Sequence, residues 1–233
     1  MAEVIANVEV APNIFRLKAA GAFSGRMGQF YMVRAWDRYP LLSRPLSIFD
    51  LNESGIEFLY QVTGEGTRLL SALRPGDELQ LEGPFGNGFP EVQAGARIAL
   101  VGGGIGIAPL HYALRNYRGS DVYLGFSQNP YLTENFEAAT TGKVLVNVGG
   151  IVLEQVDFHA YDTIISCGPE PMLKAVQRKK LETKSEADVY VSLENRMACG
   201  IGACLVCSVK CLDKRRKACA DGPVFLAEEV VFE

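Results

Sequence analysis

From residue 3 to about residue 83, apolar and polar positions alternate in short runs, at 3–10, 14–19, 29–35, 56–62 and 78–81, each broken by turn residues. Alternation with period two marks half-buried strands, and many short strands at such intervals predict a small antiparallel barrel or sandwich. Arg74-Pro75-Gly76-Asp77 supplies the turn before the last of them. The pattern then breaks, because Gly83, Pro84, Gly86, Gly88 and Pro90 crowd a stretch with little periodicity, and a domain boundary is expected there, near residue 92. Beyond it, 97–101 is a continuous apolar run that suits a parallel strand buried on both faces. Leu110, Ala113, Leu114 and Tyr117 recur at i, i+3, i+4 and i+7 with Pro109 in the first turn, which predicts a helix. The runs 122–126, 144–148 and 163–167 read as further buried strands and 170–181 as another helix. Strands alternating with helices imply a parallel α/β sheet. From about residue 189 the chain leaves that pattern for a cysteine-rich segment. The expected fold class is thus a β barrel plus α/β, with an antiparallel barrel over 1–92, a parallel-sheet domain over 93–188 and a C-terminal segment over 189–233.

Composition narrows the function without naming it. With 233 residues and 48% hydrophobic content the chain resembles an ordinary soluble globular protein. A net charge of -4 and a pI near 5.4 offer no general attraction to nucleic acid or anionic membranes, so neither is expected as a partner. The N-terminus lacks the basic and apolar regions of a signal peptide, which makes a cytoplasmic location the expectation. The apolar stretch 98–114 is interrupted by glycines and Pro109 and is short for a membrane span, so no membrane insertion is expected. His111 and His159 are the two histidines, and neither belongs to a nucleophile elbow, an H-E-x-x-H or a paired acid/base motif. No catalytic residue is therefore assigned.

The cysteines change the picture. Five of the six lie between residues 199 and 219, and in a reducing compartment such clustering favours metal over disulfides. Four of them stand as Cys199-x4-Cys204-x2-Cys207-x11-Cys219, the spacing with which plant-type ferredoxins hold a [2Fe–2S] cluster. Gly200 and Gly202 allow a tight loop whose N–H groups approach cluster sulfur. Zinc also accepts four cysteines, but usually as two distant C-x2-C knuckles, and three cysteines crowded into one loop fit iron–sulfur better. Cys211 and Cys167 fall outside the spacing and read as small buried apolar residues.

Four weaker motifs precede the cysteines. Arg44-Pro45-Leu46-Ser47, placed between two strands of the barrel, offers a guanidinium and a hydroxyl to a phosphate. Gly64-Glu65-Gly66-Thr67 opens a helical pattern whose free N–H groups can meet an anion, although an ordinary turn and cap explains it as well. The run Gly102-Gly103-Gly104-Ile105-Gly106, between a buried strand and a helix, suits close approach of a nucleotide without matching G-x-G-x-x-G or a P-loop. Cys167-Gly168-Pro169-Glu170-Pro171-Met172 sits where a strand passes into a helix, the edge at which open α/β sheets bind ligands.

In this order the motifs resemble the ferredoxin reductase-like flavoproteins, and among them the electron-transfer subunits of NAD-dependent, heteromeric dihydroorotate dehydrogenases, over nearly the whole chain. The resemblance implies that Arg44, Pro45, Leu46, Ser47, Gly66 and Thr67 contact FAD. It implies that Gly102, Gly103, Gly104, Gly106, Cys167, Gly168 and Pro169 face NAD, and that Cys199, Cys204, Cys207 and Cys219 hold the [2Fe–2S] cluster. The implied partner is an FMN-containing catalytic barrel subunit that oxidises dihydroorotate in pyrimidine biosynthesis, in a heterotetramer of two copies of each subunit. Electrons would run from FMN to cluster to FAD to NAD+. That sequence is chemically coherent, since a nicotinamide exchanges hydride while a cluster handles single electrons, and a flavin couples the two. About forty residues separate Phe126 from Cys167, which implies a shortened nucleotide domain. Two other readings remain open: a related FAD/[2Fe–2S] reductase subunit of a hydrogenase- or sulfide-type complex, and a zinc-stabilised binding module on a reductase fold. The spacing predicts that Cys204→Ser bleaches the iron–sulfur absorption while Cys211→Ser leaves it nearly unchanged; the reverse result would overturn the ligand set.

Overall fold

Six strands in the first part of the chain close on themselves. The computed structural model describes residues 1–232. Strands β1 (Ala2–Ala11), β2 (Ile14–Ala20), β3 (Phe30–Arg34), β4 (Arg44–Asn52), β5 (Gly55–Gln61) and β6 (Glu78–Phe85) form a closed antiparallel barrel in the order β1-β2-β5-β4-β3-β6. Helix α1 (Glu65–Ser71) bridges β5 to β6. Alternation decides which side chains fill the barrel: Leu17, Tyr31, Val33, Ile48, Phe58, Tyr60 and Leu79 pack together inside it. Phe30 and Met32, one step out of phase on β3, point the other way and join a separate core with Cys207, Val209 and Cys219. Strand β3 is buried on both faces for this reason.

The Arg44-Pro45-Leu46-Ser47 run does not lie between strands, as its proline suggests, but begins β4 itself. Residues 44–47 pair in register with β3, whereas pairing with β5 starts only at Ile48. One edge of this run is therefore open, and that is where a residue without an N–H is tolerated in a sheet.

A second sheet follows a connection over residues 86–97. It comprises β7 (Ile98–Gly103), helix α2 (Ala108–Ala113), β8 (Asp121–Phe126), helix α3 (Thr133–Ala139), β9 (Val144–Val148), β10 (Thr163–Cys167), helix α4 (Glu170–Thr183) and β11 (Asp188–Ser192). The five strands are mutually parallel in the order β11-β10-β7-β8-β9. Its two faces carry different cores, with Leu100, Leu110, Leu124 and Phe136 on one side and Val101, Ile164, Leu173 and Val176 on the other. Two expectations need correction. Strand β9 is not a fully buried strand: it is the sheet edge, and Val148 is half-exposed there. The sheet does not stop at residue 189, because β11 continues it, and its polar ends Asp188 and Ser192 hid the strand pattern. Between β9 and β10 lies a 3-10 turn (Val152–Gln155), so this crossover is the shortened one.

After β11 the chain forms a small hairpin of β12 (Ser208–Lys210) and β13 (Arg215–Lys217), then returns as β14 (Val224–Leu226), antiparallel to β11. Asn87 ties the inter-sheet connection to this return, its side-chain amide donating to the carbonyls of Asp221 and Val224 at 3.0 and 3.2 Å. No helix among the described residues is long and apolar enough to cross a membrane.

The barrel and the sheet are locked by α2. Arg115 makes a two-pronged contact with Asp50 on β4 at 2.8 and 3.0 Å, and Tyr112 donates to the carbonyl of Gly25 at 3.1 Å. His111 stacks on Phe49 with ring centroids 4.3 Å apart, and its Nδ1 meets the Phe49 carbonyl at 3.2 Å. Burial lowers the His111 pKa, opposed by that carbonyl and by Asp50 and Glu57 and reinforced by Arg16. The unfolded chain then binds the extra proton more readily, so this residue's contribution to stability is lost as pH falls below its unfolded value of about 6.5. His111→Phe should flatten the acid limb of a urea-unfolding series between about pH 7 and 5; an unchanged slope would contradict the buried neutral imidazole.

Candidate functional site

Two clefts and the cysteine loop hold most of the residues singled out in the sequence. The first, of about 300 Å³, lies on the outer face of β4 and β5 and is lined by Arg44, Pro45, Leu46, Ser47, Leu59, Gln61 and Thr67, with Ile105, Ala108, Pro109 and Glu194 opposite. Arg44 stacks on Trp36, 5.4 Å from the ring, and donates to the Leu42 carbonyl at 2.5 Å. Partial burial pulls its pKa down, which is the cost of holding a charge against a ring and a helix end. Gly66 is what lets it fit there, because a Cβ on that residue would stand 2.4 Å from Arg44 Nε. Thr67 is spent on the turn itself: its Oγ1 accepts from the N–H groups of Thr63 and Gly64 and donates to the Gly64 carbonyl. A fixed cation beside an open helix start and an apolar wall is the donor set that a dinucleotide pyrophosphate requires.

The second cleft, about 560 Å³, opens at the C-terminal edge of the parallel sheet, lined by Gly103, Gly104, Phe126, Ser127, Val152, Pro169 and Met172. Strands β7 and β10 are neighbours there, and the chain runs outward from them in opposite directions, which makes this the topological switch point. Gly106 belongs to packing rather than to the cleft wall, since a Cβ on it would fall 2.4 Å from the Cys167 carbonyl oxygen. Cys167 is fully buried, and desolvation raises its pKa well above the ordinary thiol range.

Glu194 is the residue that motif reading missed. It follows β11 and lines both the first cleft and an adjoining one of about 290 Å³ that contains Asn195, Lys210 and Arg215. Solvent reaches its carboxylate through the clefts, but protein walls the remaining sides, so desolvation raises its pKa. Its Oε1 lies 4.0 Å from Cys167 Sγ. An acidic residue at the carboxyl edge of a parallel strand was the available signal, and it stayed hidden because β11 was not recognised.

The third feature is the cysteine loop. Cys199 is half-buried, Cys204 exposed, and Cys207 and Cys219 buried, and none is in a disulfide. They stand as two pairs: Cys199 meets Cys204, and Cys207 Sγ lies 3.2 Å from Cys219 Sγ. The Ala203 and Gly202 N–H groups donate to the sulfurs of Cys199 and Cys219 at 3.3 and 3.1 Å. The backbone N–H groups of Cys204 and Ile201, the Cys204 thiol and the Ala203 N–H hold the Cys199 pKa down, at about 6, whereas burial and Cys207 push Cys219 up to about 12. No three cysteines among the described residues already surround a single ion position. Two pairs suit two irons bridged by sulfide, each completed by two thiolates, better than one tetrahedral zinc. Cys211 is buried beside Val230, to which it is bridged through the backbone.

Comparison with known proteins agrees with this arrangement. Residues 194–231 match the family model described as the iron-sulfur cluster binding domain of dihydroorotate dehydrogenase B. The chain is 41% identical, over 98% of its length and 96% of the relative, to the dihydroorotate dehydrogenase B (NAD(+)) electron transfer subunit of Clostridium acetobutylicum. It is 39% identical to the subunit of that name from Caldanaerobacter subterraneus, over 99% of this chain and 98% of the relative. The chain belongs to this family of electron transfer subunits. Among solved structures, one described as an NADH-dependent reduced ferredoxin-NADP oxidoreductase superposes with a TM-score of 0.88 at 27% identity, covering 99% of this chain and 90% of that one. A ferredoxin reductase of carbazole 1,9a-dioxygenase shares the fold at a TM-score of 0.65 and 21% identity, over 79% of this chain and 65% of that one.

Gly66→Ala tests the first cleft. The clashing atoms are the far end of a flexible side chain, so the variant should fold with a nearly unchanged Tm while Arg44 is pushed aside. Losing one charge-assisted hydrogen bond, roughly 1.5–3 kcal/mol, should weaken FAD binding by about tenfold or more in a flavin-retention titration; unchanged retention would remove Arg44 from the site.

Proposed function

We propose that this chain is the electron-transfer subunit of a dihydroorotate dehydrogenase, passing electrons from the FMN of a catalytic partner through its own [2Fe–2S] cluster and FAD to NAD+. The observation that carries the reading is the match to family members over 98% of this chain and 96% of the relative, which includes every cleft described above. The other reductase complexes are less favoured, because likeness to the ferredoxin-NADP oxidoreductase rests on 27% identity against 41% here. Four thiols held as two pairs also weigh against the zinc-binding module.

Each part of the chain has a share of the work. In this reading residues 1–92 carry the flavin, 93–188 the nicotinamide nucleotide and 189–233 the cluster, the last beginning inside β11. Arg44, Pro45 and Ser47 would hold the FAD, Arg44 supplying a positive charge to its phosphates, and Gly103 and Gly104 would let the nucleotide approach the sheet edge. Glu194 lines the flavin cleft, and burial raises its pKa above the ordinary carboxylate value. When bound, the flavin supplies the exchange between single electrons and hydride. Ile201, Leu205 and Val206 are each more than half-exposed around Cys204, and they offer an apolar surface to the catalytic subunit. The assembly is a heterotetramer of two copies of each subunit, acting in the cytoplasm.

The purified holoprotein should show both flavin and iron–sulfur absorption, bleach with NADH, and stay oxidised with dihydroorotate until the FMN subunit is added. A colourless protein that carries zinc, or reduction by dihydroorotate without the partner, would overturn the reading.

A further inference from the structure

The register of the barrel places the cysteine loop and the flavin cleft side by side. On β3, Phe30 and Met32 face outward into the core that contains Cys207 and Cys219. Directly opposite them on β4 stand Ser47 and Pro45, which line the flavin cleft. Cross-strand partners in an antiparallel pair have Cβ atoms about 4.5–5.5 Å apart, so one strand step separates the two sites. On the cluster side, Gly200, next to Cys199, sits against the same strand. A Cβ on Gly200 would lie 3.1 Å from Met32 Cγ and 3.2 Å from the Phe85 ring, and Phe85 in turn contacts Phe30 with centroids 5.9 Å apart. Met32 thus touches the backbone of the cysteine loop and faces Pro45 across the strand pair, and it is only 3% exposed.

We propose that Met32, backed by Phe85, is the positioning residue through which the cluster loop is coupled to the flavin. It holds the loop against β3 and fills the gap with a polarisable, water-free thioether. Electron transfer through protein weakens steeply with distance and more steeply across a void than across packed atoms, so a filled contact here sets the rate. The step is balanced as follows: each electron leaves a reduced cluster, which becomes oxidised, and enters the flavin. Two such transfers with one proton reduce FAD to FADH−, and hydride transfer from FADH− to NAD+ restores FAD and gives NADH. The proposal rests on the assignment of cluster and flavin to these two sites.

The test uses the complete holoprotein under anaerobic conditions. A photochemically generated one-electron donor reduces the cluster in a flash, and flavin reduction is followed by absorption; reduction potentials and the rate of flavin reduction by NADH are measured alongside. Met32→Ala should slow cluster-to-flavin transfer several-fold while the potentials and the NADH rate stay at the parent values. Met32→Leu, which keeps the volume, should restore most of the rate. Val33→Ala empties a site on the same strand that faces the barrel interior, and it should leave the transfer rate unchanged. If Met32→Ala fails to retain its cluster, Met32→Val is read in its place with the same expectation. A parent-like transfer rate in the fully loaded variant overturns the role of Met32. Absence of flavin or cluster bands from the unmutated protein would instead fail the site assignment on which it rests.

Discussion

The alternation of side chains along β3 is the constraint on which this molecule depends. A strand has two faces, and β3 buries both: Tyr31 and Val33 close the barrel, while Phe30 and Met32 receive the cysteine-bearing segment. A one-residue slip in register would exchange the two sets and uncouple the segment from the barrel at a stroke. Because Ser47 and Pro45 are the partners of Phe30 and Met32, the same register brings the flavin cleft to within a strand of the cysteines. On the proposed assignment, the distance between the redox sites is set by sheet geometry, which is stiff, rather than by a flexible linker.

The second constraint is the attachment of the parallel sheet. Tyr112 and His111 on α2, with Arg115 just past its end, grip β4 and the neighbouring loop, so the wall formed by Ile105, Ala108 and Pro109 stands at a fixed distance from Arg44 and Ser47. On the other side, β14 returns to pair with β11, and Asn87 ties this return to the inter-sheet connection. Glu194 lies where these parts converge, at the end of β11 and beside both clefts. The clefts are junctions between rigid elements, the placement expected of ligand sites.

Much of this was legible in the sequence for physical reasons that can be named. Strands β1 and β6 alternate because one face is wet, and β7, β8 and β10 read as apolar runs because both faces are buried. The cysteine spacing carries its own chemistry. What stayed hidden was what alternation cannot report. Pro45 disguised the start of β4, because proline is tolerated only where one edge is open. Helix α3 buries Phe136 alone, too little for any period to emerge. Strand β11 is capped by polar residues, and with it Glu194 lost its structural context. The contact of Gly200 with Met32 joins residues 168 positions apart in the chain, and no local pattern encodes it.

On the proposed assignment, one barrel strand separates the cluster from the flavin. Electron paramagnetic resonance on the partly reduced holoprotein tests it directly, through the spin interaction between the reduced cluster and the one-electron-reduced flavin. Sites one strand step apart, with the cofactors' own dimensions added, should show strong coupling and fast relaxation of the flavin signal, as expected for a separation on the order of two to three strand spacings, ~10–15 Å. A flavin signal whose relaxation ignores the state of the cluster would contradict the account.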